Sequence, residues 1–129
     1  MLDPATELRE SDIAPIWSPG ELLPDWYDDW VGIERERLHA LRTHALEALC
    51  ARLTAAGRYG EATEAGLAAI RDEPLRESAH RVLICVHLAE GNRAAALQQY
   101  RSFARRLQGE LDMRPSGRME QLVGAMTSR

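Results

Sequence analysis

Four histidines are the side chains of this 129-residue chain best suited to acid/base or metal chemistry, and their spacing argues against both. His80 and His87 stand seven residues apart in one helical pattern, hence on one face, but roughly 10 Å apart along the axis, too far to share an ion. His39 and His44 have no partner at ligand spacing. Cys50 and Cys85 sit singly inside helical patterns and read as small buried thiols in a reducing cytoplasm. Asp25, Asp28 and Asp29 imitate a cation site, yet they open a helix, where negative charge meets the positive end of the macrodipole. No HExxH, Walker loop, GxSxG elbow or GxGxxG occurs. The chain therefore reads as non-enzymatic, with no catalytic, cofactor-binding or metal residues, and His80 and His87 are expected as interior, hydrogen-bonded side chains.

What remains is chemistry of recognition. Trp26 and Trp30 lie one helical turn apart and share a face, placed either to anchor an interface or to pack on the apolar residues between Ile13 and Leu23. Arg101, Arg105 and Arg106, with Arg114 and Arg118 nearby, form the one basic concentration. They are positioned to touch phosphates, or to pair with Glu110, Asp112 or the acidic N-terminal region of a neighbour. Residues 1–33 hold eight acids and one arginine, whereas residues 92–129 hold three acids and seven arginines. The whole chain carries a formal charge of -4 with a pI near 5.6, which argues against a domain that grips duplex nucleic acid alone. All sixteen basic residues are arginine, the mark of a GC-rich coding sequence.

The elements that position these groups are helical. Apolar residues make up 45% of the chain but aromatics only 5%, the composition of closely packed helices, and strand-forming runs are absent. Residues 1–24 contain Pro4, Pro15, Pro19, Gly20 and Pro24 and are expected as an irregular N-terminal arm. Residues 25–129 are expected as a helical domain. A long first helix runs to about Ala56, its inner stripe formed by Trp26, Trp30, Ile33, Leu38, Leu41, Ala45, Leu49 and Leu53. A second helix near 58–71 turns Tyr59, Ala62, Gly66, Ala69 and Ile70 inward. A third runs from about Leu75, with Pro74 in its first turn, and buries Leu75, Ala79, Val82, Leu83 and Val86. A fourth, near 93–110, buries Ala96, Leu97, Tyr100, Phe103 and Leu107. Ser116 caps a last helix with Met119, Leu122, Val123 and Met126 on one face. No apolar run approaches the length of a membrane span, so a cytoplasmic protein is expected.

The stretch Ala55-Ala-Gly-Arg-Tyr-Gly-Glu-Ala62 recurs in degenerate form as Ala89-Glu-Gly-Asn-Arg-Ala-Ala-Ala96, setting Gly57 and Gly91 thirty-four residues apart. That is the tetratricopeptide period. The fold class expected is all-α, a tetratricopeptide-like stack of antiparallel helix hairpins closed by a C-terminal capping helix, because one hairpin cannot bury its own apolar face. Gly66 departs from the repeat pattern, which usually has a large ring there. Gln108 stands where the second unit would have proline.

Five stretches in order carry a closer resemblance: Gly20-Glu-Leu-Leu-Pro-Asp-Trp-Tyr-Asp-Asp-Trp30, Glu34-Arg-Glu-Arg-Leu38, Ala55 to Ala62, Asp72-Glu-Pro-Leu-Arg-Glu-Ser-Ala-His-Arg81, and Leu111-Asp-Met-Arg-Pro-Ser116. The chain resembles the bacterial transcriptional activator domain of antibiotic-regulatory-protein (SARP) type regulators. The resemblance implies a domain that follows a winged-helix DNA-binding domain and contributes dimerisation, docking onto that domain and contact with transcription machinery such as RNA polymerase. Twenty-four residues ahead of the first helix are too few for a winged helix. The chain is thus expected as an excised or separately encoded domain, partnered in cis or in trans, without sequence-specific DNA binding of its own. Tetratricopeptide geometry would also make a concave face from His44, Glu47, Ala51, Ser78, Arg81, Cys85 and Leu88, and peptide capture there by an adaptor outside transcription is the alternative.

Overall fold

The computed structural model describes residues 25–127, with the placements of 1–24 and 128–129 outside the description. Five helices follow in order: α1 Asp25–Ala55, α2 Tyr59–Asp72, α3 Glu77–Ala89, α4 Arg93–Leu111 and α5 Gly117–Thr127. There is no strand among the described residues. By packing, the described residues divide into two units, the first ending at Leu38 and the second beginning at His39. In the second unit α2 packs on α3, α3 on α4 and α4 on α5, which is the all-α stack of helix hairpins that the repeat predicts.

The two glycine corners are built alike. Gly57 and Gly91 have φ of 78° and 84°, the left-handed region that side chains disfavour. At the first corner the Gly57 N–H donates to the Thr54 carbonyl and the Arg58 N–H to Leu53; at the second, Gly91 donates to Leu88 and Asn92 to His87. This is the same Schellman pair of bonds twice, each using carbonyls that a helix end leaves unmatched. Asn92 then caps α4 through Oδ1, which accepts from the Ala95 N–H. A third corner does without glycine. Asp112 adopts φ 52°, and its carboxylate accepts from Gln108 Nε2 at 2.5 Å, a local bond of the kind that makes this region tolerable for aspartate.

The expected start of α3 needs correcting. Pro74 and Leu75 lie before the helix, in a turn closed by the Arg76 N–H to the Glu73 carbonyl at 3.1 Å. Proline sets φ for the second position of such a turn, and the helix begins at Glu77.

Two apolar clusters meet on α3. One joins Cys50, Ala62, Ala65 and Val86, flanked by Leu53, Tyr59 and Val82. The other joins Ile84, Ala96, Phe103, Leu107, Met119 and Met126, so α5 packs against the core-facing side of α4 as a cap. Gly66 explains its own departure from the repeat pattern. A Cβ there would stand 3.4 Å from Cys50 Sγ and from Leu83, leaving no room for a ring between α1, α2 and α3.

The inner stripe assigned to α1 is the main correction. Leu41, Ala45 and Leu49 are exposed, as are Trp26, Trp30, Ile33 and Leu38 in the first unit. Leu53, the last residue of that stripe, does pack, but the rest of the packed side in the second unit is Thr43, Glu47 and Cys50, partly polar and therefore invisible to an apolar count.

Candidate functional site

Burial of Glu47 on α1 demands partners for its carboxylate, and two segments supply them. Arg76 Nε, from the turn before α3, donates to Oε2 at 2.8 Å, and Ser78 Oγ in the first turn of α3 donates to the same oxygen at 2.7 Å. Arg76 Nη2 also stands 3.2 and 3.3 Å from the ring nitrogens of His44. Burial opposes ionisation of Glu47, but the bonds from Arg76 and Ser78 and the positive field of Arg76 and His44 outweigh it and hold the carboxyl below the ordinary range. The same bond from Glu47 raises the Arg76 guanidinium above its usual value.

The clip continues along the joint. His39 Nε2 lies 2.7 Å from Glu73 Oε2 and 3.0 Å from the Asp72 carbonyl, and Arg42 Nε stands 3.0 Å from Asp72 Oδ2. At the first residue of α3, Glu77 accepts from the Ser116 N–H at 2.9 Å and from its hydroxyl, and faces Arg81 Nη1 at 3.3 Å. The stretch Asp72 to Arg81, quoted above for its resemblance, is thus a run of charged groups that fastens α1 to the α2–α3 turn and α3 to the approach of α5.

Of the positions expected on a concave recognition face, Glu47 is buried, and Ser78 and Arg81 are half-buried and engaged within the chain. His44, Ala51 and Cys85 are exposed. Burial of Cys85 was expected and does not occur; Cys50 is fully enclosed. Loss of water around the sulfur still raises both thiols above their usual value, so neither is poised as a nucleophile.

His80 is an interior side chain. Its Nε2 donates to the Pro74 carbonyl at 2.7 Å, its Nδ1 accepts from Gln99 Nε2 at 3.0 Å, and its ring lies 4.4 Å from that of Phe103. One nitrogen donates and the other accepts, which is the neutral tautomer, and burial holds its pKa below the ordinary value. His87 sits apart, with Nδ1 3.4 Å from Glu90.

In the first unit Trp26 and Trp30 flank Tyr27, with ring centroids 6.0 and 5.9 Å from it. Trp26 is 65% and Trp30 52% exposed. Their suggested partners between Ile13 and Leu23 lie outside the described residues. The basic concentration separates on α4. Arg106 pairs with Glu110 at 2.9 Å, while Arg101 and Arg105 are exposed and line a recess of about 350 Å³ with Ala94, Leu97 and Gln98.

Sequence reasoning missed Ile84, Ala65 and Thr43 as core positions. Ile84 and Ala65 carry an apolar signal at helical spacing, whereas Thr43 carries none, since its hydroxyl is satisfied by the His39 carbonyl of its own helix. No described helix is long and apolar enough to cross a membrane.

What the molecule offers is a fastened stack with exposed apolar and cationic flanks. No curated protein and no solved structure matches the chain. Residues 3–126 match the family model described as the bacterial transcriptional activator domain. With nearly its whole length inside that match, and with the five quoted stretches falling within it, the chain belongs to the bacterial transcriptional activator domain family.

Proposed function

We propose that residues 25–129 act in the cytoplasm as a non-enzymatic interaction module of a transcription regulator, self-associating and docking onto a winged-helix DNA-binding domain, in cis or in trans, and onto RNA polymerase. One observation carries the reading beyond family membership. On α1, Leu41, Ala45, Ala48 and Leu49 are all exposed on the side opposite Thr43, Glu47 and Cys50. In a stack of repeats that side is where the next unit would pack. At the other end of the same stack, α5 fills the equivalent need with Met119 and Met126. A helix side of leucine and alanine left open suits a protein partner, since contiguous exposed apolar surface marks interaction sites.

The test is direct binding. Purified chain is titrated against a winged-helix domain from a regulator of this family and against RNA polymerase holoenzyme, with duplex DNA as a third arm. Saturable binding to either protein, weakened by Leu41→Glu with Leu49→Glu, supports the reading. Tight sequence-selective binding of duplex DNA by the chain alone at physiological salt, or failure to bind both proteins, overturns it.

A further inference from the structure

The face of α4 turned away from the core holds two recesses that share Ala94 and Leu97. The first, about 300 Å³, adds Arg93, Met126 and Thr127; the second adds Gln98, Arg101 and Arg105. They run into one track, apolar toward Met126 and cationic toward Arg105. Arg93 is already engaged, donating to the Met126 carbonyl at the end of α5. Arg101 and Arg105 have no ion pair among the described residues, whereas Arg106, around the helix, is matched by Glu110. Volumes near 300 Å³ are at the lower bound for a small-molecule pocket, a size for one or two side chains rather than a whole ligand.

The chain itself carries a complementary element. On α1, Trp26, Trp30 and Ile33 are exposed along one side, and Asp29 is exposed at the edge of that side. Tryptophan beside a carboxylate is the inverse of an apolar recess beside unpaired arginines. The imbalance extends along the sequence: residues 1–33 are strongly acidic and residues 92–129 strongly basic.

We propose that the α4 track receives the Trp26–Trp30 turn of a second copy, with Arg101 and Arg105 facing Asp29. The assignment rests on the self-association in the reading above and names its surface. Reciprocal exchange, each copy giving one turn and one track, closes into a two-fold dimer. Opposite charges at the rim steer the encounter and make it salt-sensitive, while the tryptophans supply the desolvated anchors.

The experiment is sedimentation of the full chain over a range of concentrations at low and high salt. Reversing the track (Arg101→Glu with Arg105→Glu) or the turn (Asp29→Arg) is expected to weaken self-association by roughly tenfold or more. All three residues are exposed, so each variant keeps its helical circular dichroism. Mixing the two variants restores a dimer, because both reversed and native charges then meet their opposites. Trp26→Ala with Trp30→Ala weakens the dimer at every salt concentration. A dimer of unchanged affinity in the track variant overturns the assignment and leaves self-association through another face, such as Leu41 and Leu49. A wild-type monomer throughout overturns this assignment and the self-association alike. A track variant that loses duplex DNA binding but not self-association overturns it in favour of phosphate contacts.

Discussion

Arg76 Nε lies 2.8 Å from Glu47 Oε2, an ion pair that joins α1 to the turn before α3 across twenty-nine residues of chain. Neither side chain is more than about a quarter exposed, so removing one leaves the other charged, partly buried and unmatched. Arg76→Ala or Glu47→Ala is expected to cost about 2–3 kcal/mol in urea unfolding, more than a surface ion pair contributes. Glu47→Gln keeps an acceptor for Ser78 and loses less. A double-mutant cycle giving under about 0.5 kcal/mol of coupling would reduce the pair to a surface contact.

Acid weakens the fold in two steps. Burial keeps His80 neutral in the folded state, the Pro74 bond opposing and the charge of Arg106 adding to it. Unfolded chain binds the proton near the ordinary value of 6.5 while folded chain resists it, so this stability is complete above that value and declines as pH falls below it. Glu47 is depressed, so its contribution is present above the ordinary value of 4.5 and is lost as pH falls through the lower folded value. Thermal unfolding should show midpoints level from pH 8 to about 6.5 and falling from there to pH 4. His80→Gln should flatten the upper limb alone, and an unchanged upper limb would show that His80 titrates freely.

Gly66 tests close packing. A methyl at this position would reach ordinary contact with Cys50 and Leu83 and would raise helix propensity, so Gly66→Ala is expected to be neutral or to stabilise by up to about 1 kcal/mol. Gly66→Phe, restoring the ring common in such repeats, is expected to destabilise by about 3 kcal/mol or more through overpacking. If both variants unfold at the same denaturant concentration, α2 does not lie this close.

Gly57 and Gly91 pose the reverse problem, since a Cβ at either meets nothing within 4 Å but each φ is positive. Alanine at each should cost about 1–2 kcal/mol from backbone strain alone. Equal losses at the two corners would follow from their identical hydrogen bonds. A loss at neither would mean that the corners open into another conformation without penalty.

The corners, the helix order and the cap at Ser116 were legible because each is a local demand: positive φ asks for glycine, a helix start for serine. The inward side of α1 was not. Counting apolar residues selects Leu41, Ala45 and Leu49, but the packed side carries Thr43 and Glu47, whose burial depends on an arginine and a serine far along the chain. Periodicity registers hydrophobicity and not the satisfaction of a buried charge. A side meant for a partner also looks from sequence like a side meant for the core. The α4 track was half legible, since the arginine cluster is plain in sequence, whereas the pairing of Arg106 away from Arg101 and Arg105 needs coordinates.

Glu77 links the far end of the stack to its middle. Its carboxylate accepts from the Ser116 N–H and hydroxyl while also facing Arg81, and Ser116 Oγ stands 3.3 Å from the Met119 N–H that it caps. Ser116→Ala removes a cap and one of the two bonds to Glu77, a loss of about 1 kcal/mol. Glu77→Ala removes both bonds and the partner of Arg81, and the loss should be larger. The distinguishing readout is local: α5 is held by few elements, so hydrogen exchange at Met119 to Met126 should accelerate in both variants while α2 keeps its protection. If exchange in α2 rises equally, the clamp acts on global stability and α5 does not move as a separate cap.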